Sequence, residues 1–374
     1  MLISKMHYAI ELVRKGYKVY FINPPVPAAG KGLATVSEER EGGNLVIIDL
    51  NTVAGSLFFR HKLPFVFRAI NRRYIRAIGK IAGREIDQVW SFNPNLFVDL
   101  RLFRARRSIL LLYDFYRGRH VMKAAASADA IISVSQLILD HYEGAAPPKL
   151  LVQHGLGQHF AGYAQERIQK GEPDASRTAT LNPTPGVKVG YVGNLLRAGM
   201  NMVAAIRIIS ENPGVEFHFW GPYTRVDNNV TSADASIQSD LAEFIEFLQR
   251  QANVVLHGVA DQPTLARGLF EMDMFLFLYS PRKDINGASN AHKLVEYLST
   301  GKVVVSTYVS NYSGTSLLEM CDKEDEENLP GIFKKVVDSL PLYNSAGKQR
   351  QRIDFALDNT YVRQVDRILQ FAAR

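Results

Sequence analysis

NAHKLVEYLSTGKVVVST, residues 290–307, carries a helix pattern near 291–300 that runs into the strand KVVVST, 302–307. Just before it lies DMFLFLY, 273–279, a short and nearly unbroken apolar run. Runs of that length without polar alternation are strands covered on both faces, as in a parallel sheet. Working outward, the same alternation continues. VKVGYVG (187–193), VEFHFWG (215–221) and NVVLHG (253–258) are further strands, with helix patterns near 199–211, 236–251, 262–271 and 330–340. The first half repeats it. YKVYFIN (17–23), NLVIIDL (44–50), DQVWSF (87–92), SILLLYD (108–114), DAIISVS (129–135) and KLLVQH (149–154) alternate with helix patterns near 5–15, 64–83, 95–105, 120–127 and 136–143. Strands alternating with helix-length segments predict an α/β fold with parallel sheets covered on both faces. Residues 155–186 break the rhythm with Gly155, Gly157, Gly162, Gly171, Pro173, Pro183, Pro185 and Gly186, and read as a linker. The expected organisation is a doubly wound domain over 1–154, a linker over 155–186, a second doubly wound domain over 187–345 and a helical tail over 346–374. A doubly wound domain normally opens on a strand, yet this chain opens on a helix pattern.

Composition bounds the class. The 374 residues suit two domains, and with 47% apolar and 22% charged residues the chain can bury sizeable cores. The single cysteine, Cys321, rules out an internal disulfide framework and fits a reducing compartment. No run of about 18 apolar residues is present, so no transmembrane helix is expected. Charge is uneven. Residues 1–150 hold 22 Lys+Arg against 12 Asp+Glu, a balance of +10, while the remainder holds 22 against 25, a balance of −3. Such asymmetry suggests that the first domain meets something anionic.

Taken together, several segments resemble the GT-B glycosyltransferases of bacterial envelope and capsule synthesis. NAHKLVEYLSTGKVVVST is similar to their donor-binding segment, and LFEMDMFLFLYSP (269–281) to the strand that leads into it. VKVGYVGNLLRAG (187–199) resembles the first strand and glycine loop of the donor domain. KMHYAIELVRKGYKVYFINPP, VWSFNPN, LLLYDFY, ADAIISVSQLILDHY and HGLGQHF resemble acceptor-side pieces in the same order. The resemblance spans about residues 7 to 310. It implies two Rossmann-like domains facing a central cleft, a nucleoside-diphosphate sugar donor in the C-terminal domain, and transfer without a metal or other cofactor. Many retaining relatives carry a second glutamate eight residues before the position of Glu296; here that position is Ala288.

The residues have their own chemistry. A helix beginning near Asn290 presents unbonded N–H groups and a positive dipole end to a diphosphate. Lys293 adds a full charge in the first turn. Glu296, three residues on, lies on the same face and offers a carboxylate to vicinal ribose hydroxyls. The alternative is a core-facing helix with a surface Lys–Glu pair. Gly193 and Asn194 end a strand where backbone can approach a phosphate closely, and Arg197 follows as a clamp on the leaving group; a plain strand-to-helix turn with a solvated Arg is the other reading. With Ala288 at the glutamate position, sugar contacts fall to Asp284 or to backbone near Gly287. Asp114 ends the strand SILLLYD. It reads either as a general base for an acceptor hydroxyl or as a loop cap paired with Arg117 or Arg119. His7 and His154 read more readily as structural, Cys321 has no catalytic partner pattern, and no metal-ligand spacing occurs.

The stretch 56–84 places Arg68, Arg72, Arg73, Arg76 and Lys80 on one side of a helical wheel. Val66, Phe67, Ile70, Tyr74, Ala77, Ile78 and Ile81 fall on the other. This is either a solvated basic face or a seat on an anionic membrane. No recognition-helix motif or aromatic-studded basic strand supports nucleic acid as a partner. The resulting expectation is a cytoplasmic enzyme peripheral to the inner face of the plasma membrane, acting on a glycan or lipid-linked acceptor. Two rivals stand beside it: a nucleotide-sugar epimerase on the same double fold, and a non-catalytic scaffold subunit.

Overall fold

The structure is a computed structural model that describes residues 4–27, 32–171, 186–224, 235–284 and 290–373. Its contacts divide the chain into two units. One gathers His154–Thr360; the other joins Leu2–Gln153 with Tyr361–Arg374.

The second unit is built on six strands: β8 (Val187–Val192), β9 (Val215–Trp220), β10 (Val254–Gly258), β11 (Met274–Phe277), β12 (Val303–Ser306) and β13 (Glu319–Met320). Their order is β10-β9-β8-β11-β12-β13, and every neighbouring pair is parallel. From β8 the chain winds outward through β9 to β10; it then returns to β11 beside β8 and winds the other way. The order therefore reverses between β8 and β11, and at such a switch point the loops at the strand carboxyl ends diverge and leave a crevice. The apolar strands are covered on both faces, as their unbroken Val, Phe and Leu runs require. One cluster holds Val189, Phe217, Leu276 and Val305; the other holds Val192, Phe275, Phe277 and Val304.

The first unit contains β1 (Val19–Ile22), β2 (Ala34–Arg40) and β3 (Leu45–Leu50) in one sheet of order β1-β3-β2. A second, parallel sheet runs β4 (Gln88–Ser91), β5 (Arg107–Leu112), β6 (Ala130–Ser133), β7 (Lys149–Leu151). Every strand expected from the sequence is present. Two were not foreseen: the two-residue β13, and β2, which is antiparallel to β3 and exposed along nearly its whole length, so its ATVSEER carries no buried-strand signature. Among the described residues no strand joins β1 to β4, the position that the opening strand takes in a doubly wound sheet. This unit carries two sheets where one was expected.

Three further differences have local causes. The stretch 95–105, expected as a helix, is a single 3₁₀ turn, Leu100–Phe103. The buried Asn71 side chain accepts from the Val98 N–H and donates to the Leu96 carbonyl, taking backbone groups that a helix would use. The stretch read as a linker includes the helix Gln158–Gln169, whose Phe160 and Ala161 join the second unit's core; residues 172–185 of that linker lie outside the described ones. The tail forms two helices that part company. Ala346–Asp358 packs in the second unit, whereas Tyr361–Ala373 packs on the first helix, Ser4–Arg14.

Candidate functional site

The switch point of the second unit is where the sequence-derived donor residues fall. Gly193 follows the last residue of β8, Tyr279 lies two residues beyond β11, and the helix His292–Ser299 comes next among the described elements. That helix is fixed by its apolar flank. Leu294, Val295, Tyr297 and Leu298 are buried, Tyr297 stacks on Phe275 with ring centroids 4.4 Å apart, and its hydroxyl accepts the Val192 N–H at 2.6 Å. Gly301 closes the helix in the left-handed region (φ 76), and its carbonyl accepts from the buried Arg352 at 3.1 Å.

Lys293 is not a surface residue. It is 5% exposed, and its ammonium donates to the Tyr279 hydroxyl at 2.7 Å while sitting 4.3 Å from the Tyr279 ring centroid and 5.7 Å from that of Tyr191. Burial acts upward on the Tyr279 phenol, but the Lys293 and Arg197 charges outweigh it and hold it below its ordinary value. The neighbouring Tyr191 is pushed well up, by burial first and then by Tyr279 and Tyr297. Gly193 faces the same spot: a methyl group there would lie 2.8 Å from the Tyr191 hydroxyl and 2.9 Å from Lys293 Nζ. Gly221, at φ 136, comes so close to the Gly193 carbonyl that a side chain would collide with it. The loops after β8 and β9 are thus bare backbone around a buried cation, a setting made for an anion.

Glu296 is 6% exposed, and one carboxylate oxygen, Oε2, has no hydrogen-bond partner among the described residues. Burial raises its pKa to about 7, with Lys293 opposing. A carboxylate withdrawn from water with an oxygen unmatched is a costly arrangement that an incoming hydroxyl donor would relieve.

Arg197 pairs with Asp284 at 2.5 Å and lies 5.1 Å from the Tyr279 centroid. Asn194 turns the loop, its side chain accepting the Leu196 N–H at 2.9 Å. Asn290 is buried, and its carbonyl lies 3.2 Å from Nε2 of His154, a neutral, buried imidazole whose pKa burial lowers to about 4. Gly193, Arg197, Lys293 and Glu296 therefore come together with two residues that the sequence reading missed, Tyr191 and Tyr279. Tyr279 had a usable signal, since it closes a buried strand at its carboxyl end; Tyr191 looked like one more apolar core residue. The segment 285–289, with Gly287 and Ala288, lies outside the described residues.

In the first unit Asp114 follows β5 and is exposed. The Tyr116 hydroxyl bonds to it and Lys5 supplies the nearby positive charge. Among the described residues neither Arg117 nor Arg119 forms an ion pair with it, and Arg117 sits over the Phe115 ring instead. His7 stacks flat on Tyr361 at 4.5 Å, a packing role. Arg68, Arg72, Arg73, Arg76 and Lys80 are all exposed on the helix Pro64–Ala82, opposite buried Phe67, Ile70, Tyr74 and Ile78. Arg68 pairs with Asp99 at 2.7 Å. No three His, Cys, Asp or Glu side chains among the described residues are grouped to hold a metal ion. No helix among them is long and apolar enough to cross a membrane.

No protein-family model matches the chain, and no curated protein does. Solved structures do. An α,α-trehalose-phosphate synthase (UDP-forming) from Burkholderia xenovorans in complex with glucose-6-phosphate superposes with a TM-score of 0.70 at 13% identity, over 100% of this chain and 96% of that one. The corresponding synthase from Burkholderia vietnamiensis gives 0.67 at 12%, over 97% and 92%. A trehalose-6-phosphate protein from E. coli bound with UDP-2-fluoro glucose gives 0.67 at 10%, over 99% and 94%. At such identities the likeness is one of architecture: the chain has the GT-B fold, two Rossmann-like domains.

Proposed function

We propose that this chain is a glycosyltransferase that takes a sugar from a nucleoside-diphosphate donor held in the second unit. The observation that carries the reading is the buried Lys293–Glu296 pair behind the bare Gly193 turn, at the switch point of a parallel sheet. In this reading the diphosphate sits at the start of the helix His292–Ser299, with Lys293 and Arg197 neutralising charge as the leaving group departs. The unmatched Glu296 oxygen takes a ribose hydroxyl. These groups supply the positive charge that a divalent cation would otherwise bring, so transfer is expected to survive chelation. The E. coli neighbour's bound UDP-2-fluoro glucose favours a uridine donor. Asp114 is proposed as the base that accepts the acceptor hydroxyl's proton in an inverting transfer.

The acceptor is proposed to be a glycan or lipid-linked sugar, met by the basic first unit at the anionic inner face of the plasma membrane. A sugar phosphate is the second reading, favoured by the glucose-6-phosphate bound to the Burkholderia neighbour. The deciding experiment is a thermal-shift panel of UDP-, GDP- and dTDP-sugars; ligand at 100 times its dissociation constant stabilises by about 2.7 kcal/mol. Lys293→Ala and Glu296→Ala should each abolish that shift while leaving the unliganded protein folded. Unchanged donor affinity in both variants removes the reading. Sugar transferred to an acceptor separates it from an epimerase, which converts donor alone, and from a scaffold, which binds little or none.

A further inference from the structure

The short helix Ser56–Lys62 precedes the long basic helix Pro64–Ala82, and the two meet at Leu63 and are in contact. Its inward anchor is Phe59, which packs against the first unit's core, while Arg60 donates to the Asn95 carbonyl at 3.3 Å. The residues either side point the other way in character. Leu57 is 68% exposed, Phe58 57% and Phe65 71%. An isolated exposed leucine means nothing, but three large exposed apolar side chains within nine residues, at the junction of two helices, do. Phe65 is also in line with the cations. At about 100° per residue, Arg68, Arg72, Arg73, Arg76 and Lys80 all fall within about 80° of it around the long helix. That helix thus has its core face satisfied by Phe67, Ile70, Tyr74 and Ile78, and an opposite face that is basic along its length and apolar at its tip.

We propose that this helix pair inserts Leu57, Phe58 and Phe65 into an anionic lipid bilayer, with the arginine stripe seated on the phosphate headgroups. The inference rests on the membrane reading of the basic face and adds to it a mode of attachment. Charge complementarity selects the occupant. A water-facing protein partner would need acidic groups opposite five cations and apolar groups opposite three side chains, whereas an anionic bilayer offers both layers in that order. Insertion also fixes orientation, because the apolar tip marks one end of the stripe as the deeper one.

The test is co-sedimentation of the full chain with vesicles of phosphatidylcholine alone or mixed with phosphatidylglycerol, at about 0.1 M and about 1 M salt, where screening lengths are about 10 Å and about 3 Å. The wild type should bind mixed vesicles at low salt and keep a salt-resistant fraction. A Leu57→Ser, Phe58→Ser, Phe65→Ser variant should bind at low salt but lose at least about tenfold at high salt, the expected consequence of withdrawing three buried apolar side chains. Its thermal midpoint should be unchanged, since all three are exposed. An Arg72→Gln, Arg73→Gln, Arg76→Gln variant should lose low-salt binding. If the serine variant matches the wild type at both salts, insertion is wrong and adsorption by charge alone stands. If the wild type binds neither vesicle, the membrane reading falls with it. Equal binding to pure phosphatidylcholine overturns the anionic requirement, and a dimer that the serine variant turns into a monomer assigns the tip to a second copy.

Discussion

At the scale of single residues, Glu296 has consequences that do not depend on any ligand. Its pKa is raised from an ordinary 4.5 to about 7, so the folded chain binds a proton that the unfolded chain has already released. The contribution of this one group to stability is greatest below about pH 4.5, falls as pH rises towards about 7, and is flat above, the loss amounting to about 3 kcal/mol at most. Glu296→Gln should therefore raise the thermal midpoint at pH 8 and leave it nearly unchanged near pH 4.5; an equal shift at both would show that the carboxylate is not withdrawn from water. Asp114 is the riskier residue. As the base, Asp114→Asn should keep fold and donor binding yet lower turnover by about 100-fold or more. Near-normal turnover moves the base elsewhere or points to retention. That Lys293 and Glu296 fall on one face could be read from their spacing, three apart on an expected helix. The burial of Lys293 could not, because it depends in part on Tyr191, brought to it by a strand about a hundred residues away in sequence.

At the scale of elements, the two loop glycines separate a structural role from a binding one. Gly221 abuts the Gly193 carbonyl with φ 136, so Gly221→Ala must move two strand ends and should unfold the second unit at markedly lower temperature. Gly193→Ala meets the Tyr191 hydroxyl and ring edge and the Lys293 ammonium, side chains rather than backbone, and should lower the midpoint less than Gly221→Ala does while removing most nucleotide affinity. The reverse ranking, measured by thermal unfolding and UDP titration, would mean the Gly193 turn is merely a strand end. The strands themselves were legible because both faces are buried, so VEFHFW or MFLF needs no neighbour to be recognised. Elements defined by a neighbour were not. β2 exists because β3 offers an edge, and the turn at Leu100–Phe103 because Asn71 claims the backbone around it.

At the scale of the whole molecule, part of the charge asymmetry read from composition lies on a helix face, Arg72 through Lys80, whose cations form no ion pairs among the described residues, and part on the exposed arginines Arg101, Arg104, Arg106 and Arg107. What composition could not show is that the first unit is made of two separated stretches. Tyr361, Val365 and Ile368 are buried against Tyr8, Leu12, Ile109 and Ile132, and Lys15 pairs with Asp366 at 2.5 Å. Ile368→Ala should cost about 2–5 kcal/mol and lower the unfolding midpoint of the first unit, although the residue stands at the other end of the sequence. A midpoint unmoved by that change would mean the last helix is only laid on the surface. The same closure has a consequence for synthesis. A ribosome releases the residues up to Gln153 long before it releases Tyr361–Ala373, so the first unit waits with the Tyr8–Ile132 side of its core uncovered until that helix emerges. The stretch made early is thus completed by one made late, and until then the nascent chain carries exposed apolar surface of the kind that chaperones cover.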